Sequence, residues 1–300
     1  MRPEQKTFWK SFFLSLAAIG LVFGLSWLLF MPKQEKPAAS DAQQAAADTD
    51  TADDVNILFL HRTDRRGLPQ SCQLVRISPA QGQLLVTNIP LSWKVQFGTR
   101  TGDLRQAYAY NGVGQFIESL QQLTGLKTDY YVDLTDASLI ALADSFGPVD
   151  FDVHENIYHY SEQSGLLQFK LLYGRQRLDG SRCLGYLSYC GLQGQEKDTL
   201  RLQLIKAYIE HYFNRNEVER LADTFTGVAD NIETDIASID IPDLQAALRE
   251  VLVTGSSTVT TPQIYCDENG DYQPDLHGSV LRDYFGVGLQ KETPTVSSPD

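Results

Sequence analysis

Chemistry in this 300-residue chain would rest first on Asp198 and Arg201, three residues apart at the head of "DTLRLQLIKAYIEHYF". On a helix, that spacing puts a carboxylate and a guanidinium side by side, a pair able to act on a proton or an anion. Each also has an ordinary role there, Asp198 as an N-cap and Arg201 as a solvated first-turn residue. Arg105 and Arg182 supply two further cations. Tyr108, Tyr110, Tyr130 and Tyr131 offer aromatic surface that suits either a sugar- or lipid-binding groove or a core. His61, His154, His159, His211 and His277 show no ligand spacing and read as solvated or packing residues. Cys72, Cys183, Cys190 and Cys266 match no zinc pattern. On one helix Cys183 and Cys190 would stand roughly 10 Å apart, beyond disulfide reach, so buried thiols are expected. "DENGD" from Asp267 resembles a calcium loop only at its start, because Tyr272 occupies the tight-turn position that needs Gly. An Asn-Gly hairpin turn explains it. There is no P-loop, G-x-S-x-G, H-E-x-x-H or glycine fingerprint.

The elements that must position these residues follow from periodicity. "VNILFLHRT" is rich in strand formers, and "CQLVRISP" and "QLLVTNIP", joined by "AQG", form a hairpin. "GQFIESLQQLTG" carries Phe116, Ile117, Leu120 and Leu123 at helical spacing, with Gly125 as its stop. "DYYVDLT" is a strand, and "DASLIALADSFG" a helix capped by Asp136 and ended by Gly147. "VDFDVHENI" alternates as a strand. "RLDGSRCLGYLSYCGLQGQEKDTLRLQLIKAYI" reads as two helices around a polar turn, the second striped by Leu204, Ile205, Tyr208, Ile209, Tyr212 and Phe213. "IPDLQAALREVLV" is a helix with Pro242 at its start. Strands interspersed with helices predict an α/β fold, a mixed central sheet covered by helices on both faces. From Thr254 the chain reads as a loosely structured tail over 254–300.

Composition sets the surroundings. A net charge of −13 excludes a nucleic-acid partner, which needs a basic face, and passive adhesion to anionic lipid. After a basic opening (residues 1–10, read as cytoplasmic), "SFFLSLAAIGLVFGLSWLLFM" spans 11–31 without a charge. At about 1.5 Å per residue it matches a ~30 Å hydrocarbon core. The positive flank before it puts the N-terminus inside, so the expected protein is a single-pass membrane protein with its C-terminal domain extracytoplasmic. Residues 32–54, rich in Ala, Gln and Asp, form a flexible tether. The folded domain is expected over 55–253.

The ordered set "NILFLHRT", "PQSCQLVRISP", "NIPLSW", "QAYAYNG", "DYYV", "DSFGPV", "RLDGSRCLGYLSYC" and "DTLRLQLI" resembles the LytR–CpsA–Psr family of cell-envelope proteins over Val55 to Phe213. "ADNIETDIASIDIPDL" is similar to that family's closing segment. The resemblance implies an enzyme that moves a glycopolymer from polyprenyl pyrophosphate to peptidoglycan. Its arginines grip the pyrophosphate, its aspartates position a divalent cation or help activate the acceptor hydroxyl, and its lipid tail lies in an apolar tunnel beneath the sheet. Guanidinium groups suit that leaving group because they contact phosphate bidentately.

Aligned on those motifs, the charged positions are largely replaced. Gln70 stands where the family has Asp, Leu91 and Ser92 where it has Arg-Asp, and Ser188 and Cys190 where it has paired arginines. Leu204 and Ile205 stand for a further Arg-Gln. Asp198 and Arg201 match, as do the framework residues Pro90, Tyr108, Asp144, Leu178, Asp179, Gly180 and Tyr186. The expected function is therefore a binding or accessory member that has lost the phosphotransferase chemistry, with no cofactor and with polyprenyl-linked glycan and peptidoglycan as partners. Two alternatives stand beside it. One is an active phosphotransferase, with magnesium, in which Arg105, Arg182 or Arg201 substitutes for the clamp and Tyr108 lines the substrate groove. The other is an interaction or sensor domain with no ligand pocket.

Overall fold

The computed structural model describes residues 53–160, 164–191, 195–254, 258–264 and 274–286. The expected span at 11–31, nearly all of the tether, "DENGD" and Cys266 lie outside the described residues. No helix among the described residues is long and apolar enough to cross a membrane.

The strand-forming run after the tether is β1 (Val55–Arg62). It is followed by β2 (Pro69–Ser78), β3 (Gln83–Asn88), β4 (Lys94–Phe97) and β5 (Arg100–Asp103). Helix α1 (Leu104–Thr124) opens with a capping box between Asp103 and Gln106 and ends at Gly125, whose φ of 74° is the left-handed C-cap expected there. Its first turns are broken from the rest at Asn111 and Gly112, the latter at φ 68°. Next come β6 (Tyr130–Thr135), α2 (Asp136–Phe146), β7 (Val149–Val153), β8 (Ile157–Tyr160), β9 (Leu167–Leu171) and β10 (Gly174–Leu178). The two helices expected around the polar turn are α3 (Gly180–Gly191) and α4 (Gln195–Tyr212). The short α5 (Arg215–Glu219) and α6 (Leu221–Val228) lead to β11 (Glu233–Thr234), α7 (Ile241–Thr254), β12 (Thr258–Thr260) and α8 (Pro274–Phe285).

Six strands form one mixed sheet in the order β11-β6-β1-β2-β3-β12. The β1-β2-β3 meander is antiparallel, whereas β6 lies parallel to β1 and β12 parallel to β3. Because strand side chains alternate, β1 feeds two cores. Leu58 and Leu60 join Leu74, Leu85, Trp93, Phe116, Leu120, Leu281 and Phe285 on one face. Ile57 joins Ile77, Leu84, Val132, Leu244 and Val251 on the other, beside Val86 and Leu202. Helices therefore cover both faces, as the interspersed pattern predicts.

Two expectations need correction, and one expected strand pairs outside the main sheet. The strand over "VDFDV" does not extend the main sheet: β7 pairs antiparallel with β10 in a separate ribbon, and its Val149, Phe151 and Val153 bury against Cys183, Tyr186 and Cys190 of α3. The cap of α2 is Thr135, whose Oγ1 accepts the Ser138 N–H at 3.2 Å, with Asp136 at the first helical position. A hydroxyl one residue earlier satisfies the orphan amide and leaves the Asp136 carboxylate available. Beyond Thr254 the chain is not a loose tail throughout, since β12 completes the sheet edge and Leu281 and Phe285 are buried in the core. That segment is too short and polar for periodicity to show, and its burial comes from the partners it meets.

The "LDG" turn before α3 has a direct steric reason. A Cβ on Gly180 would lie 2.5 Å from the Ile140 carbonyl oxygen of α2, so only Gly permits this approach. The Gly180 N–H donates to Asp144 Oδ1 at 2.8 Å, and the Arg182 N–H donates to Asp179 Oδ1 at 2.9 Å. The two carboxylates thus satisfy orphan donors at the head of α3.

Candidate functional site

The parallel strands β1 and β6 end together, at His61-Arg62 and Leu134-Thr135, and the carboxyl end of such strands is where open α/β sheets hold ligands. His61 and Arg62 are adjacent, so they project to opposite faces, and each meets a different set of partners.

On the α1 face, Arg62 Nε donates to Asp133 Oδ1 at 2.7 Å and Nη2 donates to Glu233 Oε2 at 3.0 Å. Its Nη1 donates to the Arg65 carbonyl at 2.6 Å. The Tyr108 hydroxyl donates to Asp133 Oδ2 at 2.7 Å, and the guanidinium lies 5.5 Å from the Tyr108 ring centre. The Asp133 side chain is fully enclosed. Burial pushes its carboxyl up, opposed by the Arg62 and Tyr108 hydrogen bonds. Arg62, Asp133 and the Tyr108 hydroxyl are paired with one another inside the protein, so the cluster is a structural lock on the strand ends.

The opposite face differs. A cavity of about 250 Å³ lies between the sheet and helices α2, α3 and α4. Phe59, Leu134, Leu142, Phe146, Leu204 and Ile205 give it apolar walls, and His61, Ser71, Gln73, Cys183, Arg201 and Tyr208 bring polar groups to its lining. His61 Nε2 lies 2.8 Å from Asp136 Oδ1, across 75 residues of chain. Burial pulls the imidazole below its usual value, the Asp136 contact opposes this, and the nearby Arg201 charge adds to it. Burial thus favours the neutral imidazole over the charged one. Arg201 is buried, with Nη1 donating to Asp198 Oδ1 at 2.9 Å and Nε left without a partner. A buried guanidinium donor without an acceptor is costly and suits an incoming anion. Burial raises the Asp198 carboxyl, with Arg201 acting against it. Helix α4 is tied to the sheet just there: Asn88 Nδ2 donates to the Asp198 carbonyl at 3.1 Å, and Gln73 Nε2 donates to Asn88 Oδ1 at 3.1 Å.

The structure brings Arg201, Leu204 and Ile205 together in the cavity lining, with Asp198 held behind Arg201, and leaves the other candidates elsewhere. Arg105 is exposed and its Nε donates to the Pro69 carbonyl at 3.1 Å. Arg182 is exposed and its Nη1 donates to the Arg177 carbonyl at 3.1 Å. Tyr108 belongs to the Arg62–Asp133 cluster on the other face. None of these three lines the cavity. Of the replaced positions, Gln70 is exposed and its Nε2 donates to the Leu68 carbonyl at 3.2 Å, Ser92 and Ser188 are exposed, and Leu91 and Cys190 are buried in apolar cores. Cys183 is a buried thiol pushed up to about 12 by burial, Cys72 is likewise buried and pushed up, and no disulfide joins the described cysteines.

Sequence reasoning placed His61 among packing residues and gave Asp136 only a capping role. The usable signal was the strand alternation: His61 shares a face with Ile57 and Phe59, so a titratable side chain ends an otherwise apolar stripe. Nothing local revealed that Asp136 would face it.

The donor set does not fit the divalent cation that the resemblance implies. Asp198 is engaged by Arg201 and Asp136 by His61, and among the described residues no three His, Cys, Asp or Glu side chains converge as a metal-ligand group.

Comparison with known proteins agrees with this architecture. The LytR_cpsA_psr family model matches residues 31–277. The Bacillus subtilis (strain 168) protein named polyisoprenyl-teichoic acid–peptidoglycan teichoic acid transferase TagV is 22% identical over 199 residues, covering 60% of this chain and 49% of that protein. The chain therefore spans about half the length of that relative. A Halalkalibacterium halodurans protein of the same description, TagU, is 22% identical over 239 residues, 73% of this chain and 75% of its own. Among solved structures, Bacillus subtilis TagV superposes with a TM-score of 0.64 at 17% identity, covering 78% of this chain and 98% of that one. A Eubacterium siraeum protein superposes with a TM-score of 0.70 at 17% identity, covering 84% of this chain and 100% of that one. At such identities the likeness is one of fold, while the match to the family model spans most of the sequence. The chain belongs to the LytR–CpsA–Psr family.

Proposed function

We propose that this protein is a membrane-anchored, extracytoplasmic binding or accessory member of cell-envelope glycopolymer assembly, which holds the polyprenyl lipid carrier by its tail. The observation that carries this reading is the apolar cavity beneath the sheet, with the buried Arg201 and its unpartnered Nε in its lining. Apolar walls favour an alkyl or prenyl chain by removing its surface from water, and convergent polar groups at one end fix a head. The relatives named above are described as transferring teichoic acid from a polyisoprenyl carrier to peptidoglycan, which supplies the lipid class and the process.

Accessory binding is favoured over transfer because Leu91, Ser188, Cys190 and Leu204 occupy the positions of the family's clamp. Loss of a single preorganised donor costs about 3–4 kcal/mol of barrier, and neither Arg105 nor Arg182, each exposed and donating to a nearby backbone carbonyl, lines the cavity. An open cavity also disfavours a plain interaction domain with a filled interior.

Displacement of a fluorescent prenyl analogue from the full chain in detergent micelles tests the reading. Long-chain polyprenol is expected to compete in the wild type and to lose at least about tenfold in affinity in Ile205→Trp, where the larger ring fills the cavity. Competition unaffected by Ile205→Trp would remove the lipid-holding reading. Magnesium-dependent release of prenyl phosphate from a diphosphate-linked glycan would replace accessory binding with transfer.

A further inference from the structure

We propose that the β8–β9 hairpin is a membrane-interface contact, laid against the headgroup layer of a lipid bilayer. This rests on the membrane-anchored reading and adds the surface of the domain that meets the bilayer.

The hairpin is where the fold leaves apolar surface in water. Of the eleven exposed large hydrophobic side chains among the described residues, six lie on it or at its ends: Tyr158, Tyr160, Leu166, Leu167, Leu172 and Tyr173. Leu166 is 68% exposed and Tyr173 69%. Single exposed apolar residues are ordinary, but a cluster marks a contact surface. The residues between them are already used to seat the hairpin on the domain. Ile157 and Leu171 are buried with Tyr186 and Cys190, and Phe169 lies over α3 at Gly185, where a Cβ would stand 2.3 Å from its ring.

Side-chain chemistry favours a bilayer over a second copy of the chain. Tyr and Lys carry an apolar body and a polar tip, which suits the boundary between acyl chains and water. Lys170 is the cross-strand partner of Tyr158, its Nζ 5.8 Å from the ring centre. Although the chain carries a net charge of −13, the described residues from Asn156 to Tyr173 include no carboxylate, so this patch escapes repulsion from anionic lipid. Glu162, in the connection outside the described residues, is tolerable at headgroup depth and not in the acyl core.

Chain length favours the same occupant. On the membrane-anchored reading, 23 residues (32–54) separate the expected span from β1. A linker of that kind presents the bilayer to the domain at an effective concentration of about millimolar, so a shallow contact of a few side chains suffices. Helix α3, on which the hairpin sits, also walls the cavity through Cys183 and Leu187. The contact therefore sets a cavity wall beside the bilayer.

The test uses the full chain reconstituted in phosphatidylethanolamine–phosphatidylglycerol vesicles, with Cys266→Ser and an environment-sensitive fluorophore on Gln168→Cys, which leaves all six apolar residues in place. A second chain carries the fluorophore on Ile239→Cys, exposed and outside the hairpin. Headgroup-spin-labelled lipid is expected to quench the hairpin label several-fold more than the Ile239 label, with a blue shift of its emission. Leu166→Glu with Leu167→Glu should bring quenching down to the Ile239 level, whereas Leu166→Trp should keep it. Equal quenching at the two sites, or quenching unmoved by the paired glutamates, overturns the proposal. So does a blue shift that grows with protein-to-lipid ratio without lipid quenching, which would assign the patch to a second copy. A chain stripped from the vesicles by alkaline carbonate removes the membrane-anchored reading, and the proposal with it.

Discussion

At the scale of single residues, the adjacent pair His61-Arg62 shows how one strand end serves two purposes. Arg62 answers an enclosed carboxylate, and removing one partner of such a pair typically costs about 3–5 kcal/mol because the other charge stays buried. His61 is held neutral, and this has a pH consequence. Its folded value lies below the unfolded one, so the unfolded chain binds more protons in the window below the ordinary histidine value. The contribution of His61 is complete above about pH 6.5 and is lost as pH falls from there through the depressed folded value. The buried carboxyl of Asp133 and the half-buried one of Asp198 are raised and act with the opposite sign, so the histidine must be isolated by difference. Urea midpoints taken from pH 7.5 to 5.5 should fall for the wild type more steeply than for His61→Gln. Parallel profiles would show that the imidazole is not held neutral.

At the scale of elements, the packing of α3 on α2 depends on the absence of a side chain at Gly180. Gly180→Ala places a methyl 2.5 Å from the Ile140 carbonyl oxygen, and overpacking of this kind costs about 1–3 kcal/mol. A lowered denaturation midpoint with an unchanged slope is the expected readout, whereas no change would mean that the helices separate freely. This turn was legible in the sequence, as were the β1-β2-β3 meander, the Gly125 stop and the paired helices α3 and α4, because each is encoded by neighbours. The site was legible only in part. Asp198 and Arg201 are three apart and could be named together. The His61–Asp136 contact joins residues 75 apart, and the Arg62–Asp133 contact joins residues 71 apart, so both depend on β6 lying parallel to β1. The pairing of β7 was hidden for the same reason: alternation identifies a strand and one buried face, and not the partner it pairs with.

At the scale of the whole molecule, the sheet is closed at one edge by three residues that arrive late in the chain. Strand β12 runs parallel to β3, matching Thr258 to Gln83 and Thr260 to Leu85, and places the buried Val259 against Val86 and Leu202. A six-residue strand rich in Leu and Val is thereby shielded by a short threonine-flanked one, and brief edge strands are a means by which sheets avoid pairing with other molecules. A version of the chain ending at Val253 would uncover the outward amides and carbonyls of β3. It is expected to elute from size-exclusion chromatography as concentration-dependent oligomers where the full chain does not, and an unchanged elution volume would contradict this. In that light β12 is a barrier to self-association, deciding whether neighbouring copies remain individual molecules or zip together edge to edge.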